Sequence, residues 1–279
     1  MKIQILTYTP LEIADIAIGK CWNKPNWESL LIDFKRVKRV GVDNKHASTL
    51  EHLVVYFETN HKKTLRKFKE NNFSIVKKKI VTTNVRAIGN MCKWDVSKME
   101  KYLPNTYIQM LSGETMTETR RYKESKDTRL LHTTGDTYHF EIRNISRALL
   151  QELARHRCAS ITVKSTRYTL QELKDEKTFK ISNGRSVRLY DYDKVSKYCK
   201  LTNDNNVNLI ISSGLEWQRV LQQLGISNDK TKFALPEAYL TELVWTVHKD
   251  CLANFLKLRD SKSAMWEIRE LAQLLKAMI

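Results

Sequence analysis

Glycine is scarce in this chain, and its scarcity limits how the protein can bind phosphate. The 279 residues include 8 glycines, about 3%, against an average near 7% in proteins. They stand alone in the sequence, so neither a G-x-G-x-x-G fingerprint nor a Walker A loop can be written from them. A nucleotide site in this protein must therefore hold phosphates with side chains and helix ends.

Cysteine and histidine are present without the spacings that build metal or disulfide sites. The five cysteines are an odd number and contain no C-x-x-C pair, which argues against a disulfide framework and a zinc site. The seven histidines include no H-E-x-x-H motif. We therefore expect no structural metal ion.

Long apolar runs are also missing. No stretch reaches the roughly 18 apolar residues that a membrane-spanning helix needs. The opening residues lack the basic start, apolar stretch and small-residue exit of a signal peptide. With 42% hydrophobic residues, the chain is long enough to bury a core as one large domain or two small ones. We expect a cytoplasmic protein.

Positive charge is abundant. The chain has 48 lysines and arginines against 31 acidic residues, a formal net charge of +17. Such a balance favours anionic partners: nucleic acid, nucleotides or polyglutamylated cofactors. The densest basic runs lie at 61–70 and 76–80, and they motivate a nucleic-acid-binding hypothesis. A lysine-rich solvated surface explains the same composition, and both interpretations stay open.

Hydrophobic patterning predicts a mixture of strands and helices without βαβ regularity. Strands are predicted at 1–10, 50–58, 138–142 and 186–192, and a hairpin or a strand pair broken by lysines is predicted at 73–83. Helices are predicted at 11–22, early in 59–72, at 84–94, 99–111, from Asn144 or Ser146 onward, 241–259 and 264–279. The polar segment 113–137 is predicted to be a loop. The pattern favours an α+β fold, and we expect Trp245, Phe255 and Trp266 in its core.

The densest group of chemically active side chains follows the helix predicted from Ser146. Glu152, Arg155 and His156 lie three or four residues apart, on one side of that helix. Arg155 and Arg157 are two residues apart, about 200° around a helix, so they converge on one ligand only if the helix ends near His156. The β-branched residues at 161–163 favour such an end.

Hydroxyl and guanidinium groups continue beyond this turn. The group comprises Ser160, Thr162, Ser165, Thr166, Arg167 and Tyr168. A guanidinium binds two phosphate oxygens at once and hydroxyls add further bonds, so this combination can replace a glycine-rich loop. The alternative is a helix C-terminus with cations that complement its dipole.

These residues resemble a known signature. Arg155, His156 and Arg157, followed after seven residues by Ser165, resemble the R-H-R-x7-S motif of flavin-dependent thymidylate synthases. HASTLEH at 46–52 and the segment 241–272 resemble other parts of that family. The stretch 82–90 is similar to a segment of its longer members. The resemblance implies a single α+β domain over 1–279, with a twisted, mostly antiparallel sheet flanked by helices and an insert at roughly 57–138.

The resemblance also implies a function. It predicts a flavoprotein methyltransferase that makes dTMP from dUMP, with FAD as cofactor and methylenetetrahydrofolate and NADPH as co-substrates. In this chemistry the cofactor performs the electron transfer and the protein positions the reactants. The family resemblance further implies a homotetramer whose active sites are shared between subunits.

Site residues follow from the resemblance position by position. Flavin contacts are implied for His52, Arg155, His156, Arg157, His248, Asn254 and Leu258. Nucleotide contacts are implied for Glu152, Arg155, Ser165, Thr166, Arg167, Lys232 and Arg259. Arg259 carries the catalytic role, because it matches the arginine that favours ionisation of the pyrimidine N3. His52 could equally be a semi-buried structural histidine, and Lys232 a plain surface lysine.

The chain departs from the family pattern at four positions that bear on the substrate. Val163 replaces a glutamate or glutamine, and Glu152 stands where a glutamine is usual. The family usually has an N-x-R motif before Asn254. Here His248 stands in place of its asparagine and Asp250 in place of its arginine. Aspartate in place of arginine weakens anion binding unless Lys249 or another neighbour compensates. A related nucleotide such as dCMP is therefore an alternative substrate.

Overall fold

The computed structural model describes residues 3–22, 31–114, 116–181 and 189–279. The strands in these ranges are β1 (Ile3–Tyr8), β2 (Val54–Thr59), β3 (Ile75–Lys77), β4 (Ile80–Asn84), β5 (Arg129–Thr134), β6 (Thr137–Ser146), β7 (Ala159–Val163) and β8 (Leu240–His248). The α-helices are α1 (Leu11–Cys21), α2 (Phe34–Lys38), α3 (Lys62–Lys69), α4 (Val85–Cys92), α5 (Val96–Met99), α6 (Asn105–Ser112), α7 (Arg147–Ala154), α8 (Thr166–Thr169), α9 (Tyr192–Val195), α10 (Asn205–Gln223), α11 (Asn228–Thr231), α12 (Lys249–Arg259) and α13 (Trp266–Lys276).

The described strands form two four-stranded sheets. The first has the order β1-β2-β4-β3 and the second β5-β6-β8-β7, and every pairing is antiparallel. The α+β class and the antiparallel pairing are therefore confirmed, but the strands divide into two sheets instead of one. Residues 75–84 belong to the first sheet and 129–134 to the second, and the single domain with an insert stays a prediction.

A buried network of histidine and threonine side chains joins the two sheets. His52, just before β2, is fully buried, with Nδ1 2.7 Å from Thr246 Oγ1 and Nε2 2.8 Å from Thr162 Oγ1. The hydroxyl of Thr246 also lies 2.9 Å from Nδ1 of the fully buried His139. Burial lowers the pKa of His52 to about 3 and lowers that of His139 well below its usual range. Both rings are therefore neutral at physiological pH.

The helix predicted at 241–259 is wrong in its first half. Residues 241–248 lie in β8, a central strand that pairs with β6 on one side and β7 on the other. Alternate residues of this strand are Leu243, Trp245 and Val247, all buried against the helices of the second sheet. A short apolar segment can match the 3.6-residue repeat of a helix or the two-residue repeat of a strand. Here the β-branched and aromatic residues favour the strand. The second half is helical, as predicted.

Other differences from the predictions are local. Residues 129–134, predicted as loop, form β5, and 47–52 form a 3₁₀-helix before β2 begins. Helix α10 was not predicted at all. The strand predicted at 186–192 lies partly outside the described residues, and its Tyr190 makes an isolated bridge with Lys180.

Each sheet has its own apolar core. The first core packs α1, α4 and α6 against β2 and β4, and the second packs α7, α12 and α13 against β6 and β8. Trp245 and Phe255 are fully buried in the second core, as predicted, whereas Trp266 is 39% exposed. None of the helices in the described part of the chain is long and apolar enough to cross a membrane.

The start of α7 is fixed by Ser146, one of the two predicted positions. Its hydroxyl accepts a hydrogen bond from the backbone N–H of Leu149 at 3.0 Å and donates to the buried carboxylate of Glu267 on α13. The Ser146 N–H donates to the same carboxylate at 2.8 Å. Ser146 thus joins the helix that leads into the signature to the C-terminal helix.

Replacing Ser146 with alanine is expected to lower the free energy of unfolding by about 1–2 kcal/mol, because an N-cap bond is lost and a buried carboxylate loses a donor. Urea unfolding followed by circular dichroism measures the change. The Ser112→Ala variant, at the exposed last residue of α6, is the control and should stay near the wild-type value. Equal stabilities for the two variants would contradict this account of the cap.

Candidate active site

The turn between α7 and β7 brings the three signature residues together. Helix α7 ends at Ala154 and β7 begins at Ala159, so the predicted helix end near His156 is confirmed. The intervening residues leave the helical path, which removes the 200° separation of Arg155 and Arg157. Both arginines line one cavity together with His156.

This cavity, the signature cavity, has a volume of about 440 Å³. Its walls come from the α7–β7 turn, the end of β8 and one side of α12. The lining residues are Arg155, His156, Arg157, Cys158, Ala159, Val247, Asp250, Cys251, Asn254, Leu258 and Arg259. The Arg155 side chain is 75% exposed and Leu258 is 54% exposed. The cavity therefore combines guanidinium groups with an apolar wall and is open to solvent.

Arg259 is held by two side chains from the signature segment. Its Nη1 lies 2.9 Å from Glu152 Oε2, and its Nε donates to His156 Nε2 at 3.1 Å. The imidazole packs edge-on against Phe255, with 4.9 Å between ring centroids. Burial, followed by the charge of Arg259, lowers the pKa of His156. Because its Nε2 accepts a hydrogen bond, the ring is neutral and carries its proton on Nδ1.

The charge of Asp250 is compensated by a residue remote in sequence. Lys77, at the end of β3, places Nζ 2.6 Å from Asp250 Oδ2, and this hydrogen bond lowers the pKa of the carboxyl. Lys249 is directed elsewhere, with its Nζ 2.7 Å from Asp136 Oδ1. His248 caps α12, its Nδ1 accepting from the Asp250 N–H at 3.2 Å. A neighbour does compensate, and it is Lys77.

The other predicted nucleotide contacts lie apart from the signature cavity. Arg167 lines a second cavity of about 390 Å³, and the two cavities share no lining residue. Its Nε lies 3.2 Å from Asp229 Oδ1, and Lys232 Nζ lies 3.9 Å from the same atom. Ser165 and Thr166 stand at the start of α8, the helix that carries Arg167. Within one chain, two groups of cations thus occupy two separate places.

A third cavity, of about 270 Å³, lies between the two sheets and shares a wall with the signature cavity. Arg157, Cys158, Ala159 and Cys251 line both spaces. Its opposite wall comes from 72–75 and 82–84, where the sequence had indicated only a hairpin and a helix start. No local motif predicts that these residues line a cavity, because the pairing of β2 with β4 brings them to it.

His52 lines none of these three cavities, since its ring nitrogens are both engaged by threonines inside the protein. His248 lines the cavity between the sheets but not the signature cavity. The structure therefore brings together Arg155, His156, Arg157, Asn254, Leu258 and Arg259, with Glu152 touching Arg259. It does not bring His52 to them.

Residues 118–279 match the sequence model of a family described as thymidylate synthase complementing protein. This region is more than half of the chain and contains every predicted site residue except His52. The chain therefore belongs to this family, that of the flavin-dependent thymidylate synthases. The resemblance inferred from the signature is confirmed.

Individual relatives agree with the family assignment. The flavin-dependent thymidylate synthase of Wolinella succinogenes is 52% identical over 138 residues, which cover 50% of this chain and 64% of the relative. The one from Campylobacter jejuni is 48% identical over 138 residues, covering 50% and 63%. The one from Helicobacter pylori is 37% identical over 162 residues, covering 54% and 76%. The chain thus spans less than two thirds of the first two relatives.

Among solved structures, this chain is similar to Thymidylate Synthase X from Helicobacter pylori, crystallised with FAD and dUMP. The identity is 27% and the TM-score 0.48, with 100% of this chain and 93% of the other covered.

Proposed function

We propose that this protein is a flavin-dependent thymidylate synthase, which methylates dUMP at C5 to give dTMP with methylenetetrahydrofolate as the one-carbon donor. The single observation that carries the proposal is the signature cavity, where Arg155, His156 and Arg157 meet Asn254 and Arg259. Membership of the family supports the same reaction, and relatives with that name match half of the chain.

The lining of the signature cavity fits FAD. Arg155 and Arg157 supply guanidinium groups for a pyrophosphate, which suits a chain without a glycine-rich loop. Val247 and Leu258 offer an apolar wall to a planar ring, and Asn254 offers an amide that both donates and accepts. Reduced flavin, when bound, supplies the hydride of the reaction, and NADPH is the proposed reductant.

Arg259 is proposed to bind the pyrimidine. Its guanidinium is always charged and is held by Glu152 and His156, so it is oriented before the nucleotide arrives. A fixed cation beside the ring stabilises the negative charge of a pyrimidine ionised at N3, and this charge makes C5 a better nucleophile toward the one-carbon unit. Because the His156 ring that contacts Arg259 is neutral, it adds no second positive charge beside the guanidinium.

Two copies or more are proposed to complete each site. The phosphate-binding candidates Ser165, Thr166, Arg167 and Lys232 lie away from the signature cavity in one chain. A homotetramer can place them beside the Arg259 of another subunit. Such sharing explains why one chain carries two cation-lined cavities with no residue in common.

FAD binding gives the first test of this proposal. The purified protein is expected to be yellow or to take up added FAD, and Arg157→Ala should raise the FAD dissociation constant about 10- to 100-fold, because a charge-assisted bond to phosphate contributes about 1.5–3 kcal/mol. Flavin fluorescence measures the affinity. The Arg147→Ala variant, at the other end of α7, is the matched control. A colourless protein that does not bind FAD would refute the proposal.

The nucleotide is identified by tritium release. With 5-tritiated dUMP, FAD, NADPH and methylenetetrahydrofolate, the protein is expected to release tritium into water. The alternative substrate dCMP is favoured by the acidic Glu152 beside Arg259, since a carboxylate can accept a hydrogen bond from the amino group of cytosine. Tritium release from dCMP but not from dUMP would replace the proposed substrate by this alternative.

A further inference from the structure

Helix α10 has an apolar face that the described part of the chain leaves uncovered. Ile210 is 71% exposed, Trp217 64% and Leu224, the residue that ends the helix, 70%. These three residues are spaced by seven, so they follow one line along the helix. We call this line the Ile210–Leu224 face. Large apolar side chains exposed in a row mark an interaction surface.

The face carries no charge, although the chain has a net charge of +17. The 19 residues of α10 contain two charged side chains, Glu216 and Arg219. Both are at least nine-tenths buried, and they pair with each other at 2.6 Å. Glu216 also accepts from the Phe179 N–H at 2.8 Å. All charge on α10 therefore points toward the protein interior.

We propose that the Ile210–Leu224 face binds the same face of a second copy of this chain. Nucleic acid or an acidic peptide would need cations on the surface, and this face has none. Two copies that each carry +17 repel one another, and an uncharged contact surface adds no further repulsion where they meet. Among the described residues, α10 provides a 19-residue helix with such a surface.

The sequence along the face is suited to a two-fold axis. Ile210 and Leu224 lie seven residues before and after Trp217. If two α10 helices pack antiparallel about an axis at Trp217, Ile210 of one copy faces Leu224 of the other and the two indoles meet at the axis. Residues at equal distances from the axis pair in this way in any isologous interface. The large apolar side chains of the face can therefore pair with those of an identical face on a second copy.

The position of the face relates it to the second cavity. Gln222 of α10 and Ile226, shortly after it, line the cavity that contains Arg167. Gly214 allows close packing of the following segment, because a Cβ at this position would lie 3.0 Å from Pro236 Cγ. Gln222 is buried and lies about 200° around the helix from Leu224, so a copy docked on the Ile210–Leu224 face contacts the outer side of the helix that forms a wall of this cavity. The inference specifies a contact within the assembly proposed above, and it does not depend on which nucleotide reacts.

Sedimentation velocity tests the contact. Trp217→Glu introduces like charges at the axis and is expected to halve the molecular mass of the assembly at micromolar concentration, while circular dichroism shows unchanged helix content. Leu274→Glu, a similar change at an exposed position of α13, is the control and should keep the wild-type mass. A Trp217→Glu protein with the wild-type mass would overturn the α10 contact while leaving the proposed assembly intact. A monomeric wild type would overturn both.

Cross-linking gives an independent readout. In a Cys158→Ser background, which removes the exposed thiol, Trp217→Cys is expected to form disulfide-linked dimers when copper phenanthroline oxidises the two thiols. Gln223→Cys, exposed on the same helix but off the face, should stay uncross-linked. Equal cross-linking of both variants, or none for Trp217→Cys, would contradict the proposed axis. Tritium release by the wild type reports on the chemistry separately.

Discussion

Replacing Arg259 with alanine is expected to lower kcat/KM for the nucleotide by about 10²–10³-fold, the effect typical of removing one preorganised donor from a reacting site. Arg259 lies in the signature cavity and is held by Glu152 at 2.9 Å and His156 at 3.1 Å. Its loss removes the fixed positive charge beside the proposed pyrimidine site. Initial rates of tritium release over a range of nucleotide concentrations measure the change.

The controls separate charge from orientation. Lys257→Ala removes an exposed cation two residues earlier on α12 and should leave kcat/KM near the wild-type value. Arg259→Lys keeps a positive charge but loses the planar group that bonds to Glu152 and His156 together, so it should recover only part of the rate. An Arg259→Ala enzyme with wild-type kinetics would remove Arg259 from the catalytic role.

The parts of this site that are local in sequence were predictable. The R-H-R motif needed only a helix end to make Arg155 and Arg157 converge, and the β-branched residues at 161–163 indicated that end. Capping chemistry limited the start of α7 to Asn144 or Ser146, and the structure has Ser146 as the cap. The family resemblance implied Asn254 and Leu258, which lie four residues apart on one side of α12 and line one cavity. Each of these predictions depends on neighbours within about two turns.

The remainder depends on pairings that no local pattern contains. Residues 241–248 form an apolar segment short enough for a helix or a strand, and pairing with β6 on one edge and β7 on the other makes it a strand. Lys77 reaches Asp250 across 173 positions of sequence. His52 resembles a flavin-side residue in its motif, yet the threonines of β7 and β8 hold it inside the protein. Tertiary structure decided these cases.

The buried histidines are expected to make the protein sensitive to mild acid. A histidine in an unfolded chain has a pKa near 6.5, whereas burial lowers the pKa of His52 to about 3. Between these values the unfolded chain binds a proton that the folded protein excludes, so stability falls as the pH falls. The full stability is present above pH 6.5. From pH 7 to pH 5 this one group removes about 2 kcal/mol from the free energy of unfolding.

His139 acts in the same direction, because its pKa is also lowered and its ring shares the hydroxyl of Thr246 with His52. A charged imidazole at either position would disturb the hydrogen bonds that join the two sheets. Urea unfolding at pH 7, 6 and 5 measures the dependence. This window lies above the usual carboxyl pKa range, so titration of carboxylates contributes little to it.

The His52→Gln variant isolates the contribution of one ring. Glutamine keeps an N–H donor and a carbonyl acceptor for Thr162 and Thr246 but does not titrate. The loss of unfolding free energy between pH 7 and pH 5 should therefore shrink by about 2 kcal/mol, whatever the stability of the variant at pH 7. His46→Gln, at an exposed position, should keep the wild-type dependence. An unchanged pH dependence in His52→Gln would mean that His52 accepts its proton in the folded protein as readily as in the unfolded chain.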